Sequence, residues 1–260
     1  MRIREVGPMD YDAFRRMFAE LGLPESPPGR EDWWLDVAPG SFFLEEGGEP
    51  VAYVAAFPRG ESGHLLHLVV APSHRGRGLG RVALEEAARR LRAAGCRRWH
   101  LNVKEDNEAA LELYLRMGFQ RAHSARALRV SEDTLGRLPG GRRIKVGRLA
   151  EEDAVAAEAR FGVPAGSLLR LPGVGLRADR NGDLCGVSRL ILDGARAAPF
   201  RVDNEDVVKP LLDAMHRLAP DVPFVRLVIE AEPELADWLC KLGAIEELRL
   251  VHLRGELPAE

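Results

Sequence analysis

Two short phrases occur in the same order in both halves of this 260-residue chain. Arg2-Ile3-Arg4-Glu5-Val6-Gly7 returns as Arg143-Ile144-Lys145-Val146-Gly147, and Leu115-Arg116-Met117-Gly118-Phe119 returns as Cys240-Lys241-Leu242-Gly243-Ala244. The offset is 141 from Ile3 to Ile144 and 125 from Gly118 to Gly243, so the second copy keeps the ends of the first and has lost about sixteen residues between them. A repeat this long is a complete architecture, and single cores stop growing near ~250 residues. The glycine- and proline-rich stretch Ser131 to Gly141 is the best break. The expected domains are residues 1–135 and 142–260.

Periodicity sets the class of each half. Ile3 to Val6 reads as a strand, and Asp10 to Leu21 as a helix with Phe14, Met17, Phe18 and Leu21 on one face. Glu31 to Val37 is helix-like. Ser41 to Glu45 and Pro50 to Phe57 form a hairpin about Glu46-Gly47-Gly48-Glu49, and Leu65 to Ala71 is an apolar strand of the kind buried on both faces. Helix Leu79 to Ala94 carries Glu85/Arg89 and Glu86/Arg90 pairs, and Gly95 stops it. Strand Arg97 to Val103 and helix Glu108 to Met117 complete a β-α-β-α unit. Parallel strands joined by a crossover helix predict an α/β fold, α+β in some schemes.

Residues 1–140 carry 20 basic and 20 acidic side chains and residues 141–260 carry 17 and 20. Neither half is a polycation, so no nucleic-acid partner is expected. Cys96, Cys185 and Cys240 show no Cys-x-x-Cys spacing, and no metal site is expected. The start of the chain lacks the apolar core of a signal peptide and no apolar run reaches ~20 residues. The expectation is a cytoplasmic protein that does not enter membranes.

The sharpest chemical signal is His74-Arg75-Gly76-Arg77-Gly78-Leu79-Gly80, set between a buried strand and a helix. A glycine turn there gathers backbone N–H groups around an anion, and the helix dipole adds partial positive charge. A Walker loop would need Lys-Ser/Thr where Arg81-Val82 stands. A dinucleotide fingerprint would need its third glycine one position later and an acid near position 100, which is His. A plain structural turn is the remaining alternative.

The loop resembles the R/Q-x-x-G-x-G/A pyrophosphate loop of the GNAT superfamily of acyl-CoA-dependent N-acyltransferases, read as Arg75, Gly78 and Gly80. The resemblance covers about residues 50 to 120. It includes Leu68-Val69-Val70-Ala71-Pro72 before the loop, Asn107-x-Ala109-Ala110 at the next helix start, and Tyr114-x-x-x-Gly118-Phe119. It implies two GNAT-like domains, each a mixed, splayed sheet flanked by helices, the first an acetyltransferase using acetyl-CoA as cosubstrate. The pantetheine arm would lie along Leu68, Val69 and Val70, with the pyrophosphate held by Gly76, Gly78, Leu79, Gly80 and Arg81 and by Arg75 and Arg77. Asn107 would stand beside the arm, where an ordinary helix N-cap is the competing role. Tyr114 resembles the general acid that protonates departing CoA.

The same resemblance places a base at His64, with a water relay or an already neutral substrate as alternatives. His67, three residues along a regular strand, is expected on the opposite face. The family's other base position corresponds to Asn102, whose amide takes no proton at neutral pH. Trp33, Trp34, Phe42 and Phe43 are aromatic candidates for an acceptor pocket, or core. In the second half the loop position reads Arg201-Val202-Asp203-Asn204-Glu205-Asp206 and the acid position is Leu239, so no acyl-CoA site is expected there. The reading is acetyl transfer to a small-molecule or peptide primary amine by direct attack, in a monomer or homodimer. A non-catalytic acyl-CoA-binding or sensing protein is the alternative.

Overall fold

The structure is a computed structural model and describes residues 1–24, 26–169 and 173–258. In chain order its elements are β1 (Arg2–Glu5), α1 (Tyr11–Ala19), the single turn α2 (Arg30–Asp32) continued by a π-turn at Trp33–Val37, β2 (Ser41–Glu46), β3 (Glu49–Arg59), β4 (Ser62–Val70), α3 (Leu79–Ala93), β5 (Arg98–Lys104), α4 (Glu108–Arg116), β6 (Gln120–Ser131) and α5 (Glu132–Arg137). There follow β7 (Ile144–Arg148), α6 (Glu151–Phe161), β8 (Val174–Arg180), β9 (Asp183–Ile191), β10 (Arg196–Val202), α7 (Val208–Leu218), β11 (Phe224–Glu230), α8 (Pro233–Lys241) and β12 (Ile245–Glu256). Apart from the short α2 and α5, the order β-α-β-β-β-α-β-α-β occurs twice. The second copy is shorter where the repeat offset says it must be: its crossover helix α7 has 11 residues against 15 in α3.

The chain forms two compact units, Met1–Ala122 with Val251–Glu260, and His123–Leu250. The division falls within β6, before the glycine-rich stretch, and the last residues return to the first unit. Much of Ser131 to Gly141 is not loop. Ser131 caps α5 by accepting from the Thr134 N–H at 3.4 Å, two acids occupy the first turn, and buried Thr134 donates to the Gly243 carbonyl at 3.0 Å. These features favour a helix start over a flexible joint.

In the first unit the strands run in the order β1-β2-β3-β4-β5, and β12 follows β5. The first four are antiparallel to their neighbours, while β4 and β5 are parallel from Ser62↔Arg98 to Leu65↔Leu101. One face packs on α3 and α4 through Leu65, Leu84, Leu91, Trp99 and Leu101. The other packs on α1 through Phe14, Trp33, Phe43, Tyr53 and Val69. Phe14, Trp33 and Phe43 are fully buried, each burial contributing on the order of 2–3 kcal/mol. On α3, Arg89 and Arg90 both turn to Glu86, while Glu85 holds Arg81, so the expected Glu85/Arg89 pair is replaced.

A β-bulge in β4 decides which side chains share a face. Ala55 opposes His67 and Ala56 opposes Leu65, so Leu66 is an extra residue. The extra residue reverses the alternation beyond it. His67 therefore lies on the same face as His64, away from α3, with its ring edge-on to Phe18 at 5.4 Å. The opposite-face expectation held only for a regular strand.

In the second unit the order is β6-β11-β10-β9-β8-β7. β6 pairs antiparallel with β11 from Phe224↔Ser131 to Glu230↔Ala125, and β10 is parallel to β11 at Arg196↔Arg226 and Ala197↔Leu227. Its core, including Phe200, Leu211, Leu212, Met215 and Leu239, is fully buried. Among the described residues no helix is long and apolar enough to cross a membrane.

Candidate active site

The glycine turn follows β4 and opens α3, as its composition requires. Gly76 and Gly78 have φ of +74° and +79°, backbone that L side chains rarely adopt, and a Cβ added at either would meet nothing within 4 Å. Gly80 is needed for a different reason: its Cβ would stand 2.9 Å from the Leu113 side chain, so glycine here lets the start of α3 approach α4. Gly78 is the N-cap and has no side chain to satisfy the N–H groups of Leu79 and Gly80, which lie at the positive end of the helix dipole, while the Arg81 N–H bonds to the Gly78 carbonyl at 3.1 Å.

The arginines around this turn are held by carboxylates. Arg77 grips Glu46 with two bonds of 2.9 and 3.1 Å, and His74 approaches the same carboxylate at 3.3 Å; Arg77 is the main cause holding Glu46 below the usual carboxylate range. Arg75 donates to Glu20 at 2.8 Å and to the Val70 carbonyl at 3.0 Å. Arg81 pairs with Glu85 at 2.8 Å. The pairs are exposed, so each is weak and exchangeable for another anion.

Beyond Leu65↔Leu101 the β4/β5 ladder stops. The Ala71 N–H bonds to the Val51 carbonyl, so the antiparallel alternation turns the backbone groups of Leu68 and Val70 away from β3, toward the gap, and those of Val69 into the β3 ladder. The glycine turn and this free strand edge form one continuous polar track.

Tyr114 lies on α4, its ring buried against Phe119 with centroids 5.7 Å apart. Burial pushes its phenol well above the usual value, so it is fully protonated at neutral pH. Asn107 caps α4 by accepting from the Ala110 N–H at 3.2 Å. Trp33, Phe42 and Phe43 are core, and only Trp34, at 40% exposure, reaches solvent.

His64 belongs to a row of rings across three strands. It is the register partner of His100, with the rings stacked at 4.8 Å, and His100 lies 5.5 Å from His252 on β12. The Arg59 guanidinium points at His64 Nδ1 from 3.3 Å. A guanidinium only donates, so Nδ1 supplies the lone pair and Nε2 carries the proton. Burial, then the charges of His100, His252 and His67, push its pKa down to about 3. Both facts speak against His64 as acceptor of an ammonium proton. Among the described residues no group of three or more His, Cys, Asp or Glu is arranged to hold a metal ion.

The strand-edge slot between the two parting parallel strands and the uncapped glycine turn both lie within residues 9–119, which match the Acetyltransferase (GNAT) family. These residues are a GNAT acetyltransferase domain. Solved structures resemble the chain over its whole length. A GCN5-related N-acetyltransferase from Sphaerobacter thermophilus aligns with a TM-score of 0.73 at 19% identity, covering 99% of this chain and 96% of that one. A tandem GNAT protein from the clavulanic acid biosynthesis pathway aligns at 0.68 with 18% identity, covering 100% and 99%. At such identities the likeness is one of fold.

The second unit of the chain repeats the layout with different contents. After Ala197↔Leu227, Arg201 on β10 reaches to Glu230 on β11 at 2.8 Å, with Glu232 at 4.0 Å. In the strand-to-helix turn Asp203 pairs with Arg160 at 2.6 Å and Asp206 with Arg180 at 3.6 Å. Leu239 on α8 is fully buried.

Sequence reasoning missed three residues of the candidate site. His100 was legible in principle, since it shares the face of Asn102 on β5. His252 was not, because nothing local shows that β12 lies beside β5. Glu46 looked like a hairpin residue and is the partner of Arg77 and His74.

Proposed function

We propose that the first unit transfers an acetyl group from acetyl-CoA to a primary amine by direct attack, and that the second unit holds no acyl-CoA. The observation that carries the first statement is the track from Gly76–Arg81 to the free edge of β4. Pyrophosphate would sit on the N–H groups of Gly76 to Gly80, taking Arg77 from Glu46 and Arg75 from Glu20. The pantetheine arm would take main-chain bonds from Leu68 and Val70 and run toward Leu65↔Leu101, where the strands meet. Val69 would line the arm without bonding it, and Asn107 would stand at the α4 end. Tyr114, kept protonated by burial, would give its proton to the leaving sulfur. The amine lone pair forms the new C–N bond as the C–S bond breaks.

For the second unit, the support is the Arg201–Glu230 pair across the gap together with the paired acids in its turn. A pyrophosphate there meets Asp203, Glu205 and Asp206 at short range.

Release of free thiol from acetyl-CoA with a panel of primary amines tests the reading. Turnover dependent on amine and enzyme together is expected. Binding of acetyl-CoA without amine-dependent thiol release would make the protein a sensor.

A further inference from the structure

Acetyl transfer to an amine needs a proton acceptor, because an alkyl ammonium with pKa near ~10 has no lone pair at pH 7. His64 presents a donor instead. The residue with the opposite arrangement is His252. Its Nδ1 lies 3.0 Å from Asn102 Oδ1. A carboxamide oxygen only accepts, so Nδ1 carries the proton of the neutral ring and Nε2 carries the lone pair. Val251 and Leu253 are buried in the α3-side core, which turns His252 to the other face, the face of His64 and His100. Asn102 is the first residue on that face beyond the last β4/β5 pair, Leu65↔Leu101. The asparagine that could not itself be a base thus orients one at the mouth of the gap.

We propose that His252 is the general base of the first unit and that Asn102 is the residue that positions it. This rests on the acetyl-transfer reading above. His252 Nε2 takes one proton from the substrate ammonium, and the freed lone pair attacks the thioester carbon. The C–S bond then breaks, sulfur takes the Tyr114 proton, and Tyr114 recovers one from the nitrogen of the new amide. The reaction releases one proton, from His252 to solvent. Ionisable groups on the same face include the rings of His100 and His64, with His67 and Arg59 beyond them.

The test compares wild type, His252→Gln and Asn102→Ala in the full chain, following thiol release with two acceptors. One is a primary alkylamine, protonated at pH 7; the other is an aromatic amine, already neutral at that pH. His252→Gln is expected to lower kcat/KM for the alkylamine by ~10²-fold or more at pH 7. The deficit should shrink about tenfold per pH unit toward the amine's pKa as solvent removes the proton instead. The aromatic amine should change less than about threefold, and the shift in Tm caused by acetyl-CoA should persist. Asn102→Ala should show the same pH pattern at smaller amplitude, and it decides the matter if His252→Gln does not fold. A deficit that is independent of pH, or equal for the two amines, or absent, overturns the role of His252. Wild type that releases no thiol with any amine overturns the acetyl-transfer reading itself, and this inference with it.

Discussion

Tyr114→Phe should lower activity while leaving stability nearly unchanged. The ring is held by packing against Phe119 and the surrounding core, and phenylalanine keeps all of those contacts. The phenol oxygen is different. Its pKa is raised by burial, but the oxygen is not a fully buried polar atom left without a partner. Its removal should therefore leave Tm within a few degrees of wild type. Turnover should fall ~10²- to 10⁴-fold, since protonation of the leaving thiolate is worth about that much. The fall corresponds to roughly 2.7 to 5.5 kcal/mol of barrier. Thermal unfolding with and without acetyl-CoA, beside steady-state thiol release, gives both quantities from one preparation. Turnover within twofold of wild type while chemistry is rate-limiting would remove Tyr114 from the mechanism. A fall in Tm of several degrees would show that the oxygen serves the fold.

The two glycines of the turn should separate. Gly78→Glu meets open space and costs only the ~1–2 kcal/mol of a left-handed residue, so the chain stays folded while the rise in Tm with acetyl-CoA disappears. Gly80→Glu drives a side chain into Leu113 and should lower Tm even without ligand; equal intrinsic stability of the two variants would contradict this geometry. Acid should act through His64. Its pKa falls from the usual 6.5 to about 3 on folding, so between those values the unfolded chain binds a proton that the folded chain refuses, and stability drops as pH falls through that window. His64→Gln should flatten the dependence of the urea midpoint on pH between 6.5 and 4, and parallel profiles would refute it.

What was legible in the sequence had a local cause. Gly78 before an amphipathic run marked the start of α3, Asn107 marked α4, and the paired phrases at Ile3 and Ile144 marked two copies of one strand order. The exchange of strands had no such cause. β6 and β12 are the equivalent last strands of the two copies, so placing β12 beside β5 and β6 beside β11 leaves every local pattern of alternation intact. The sequence therefore pointed to a linker near Gly141 and gave no sign that His252 stands at the first unit's gap. The bulge at Leu66 was hidden for a related reason: in Leu65-Leu66-His67-Leu68 an extra leucine looks like one more step of a buried strand. The aromatics Trp33, Phe42 and Phe43 were readable as core or pocket, and burial decided for core, on the α1 side for Trp33 and Phe43 and on the α3 side for Phe42. The second unit's Arg201–Glu230 pair joins residues on two strands, a distance no local pattern reports.

Calorimetric titration of the intact chain with acetyl-CoA tests the central claim, one acyl-CoA track in the first unit and none in the second. The expected result is saturation at one molecule per chain, abolished by Gly78→Glu and unchanged by Asp203→Gly. Saturation at two per chain, or a binding isotherm that survives Gly78→Glu, would contradict it.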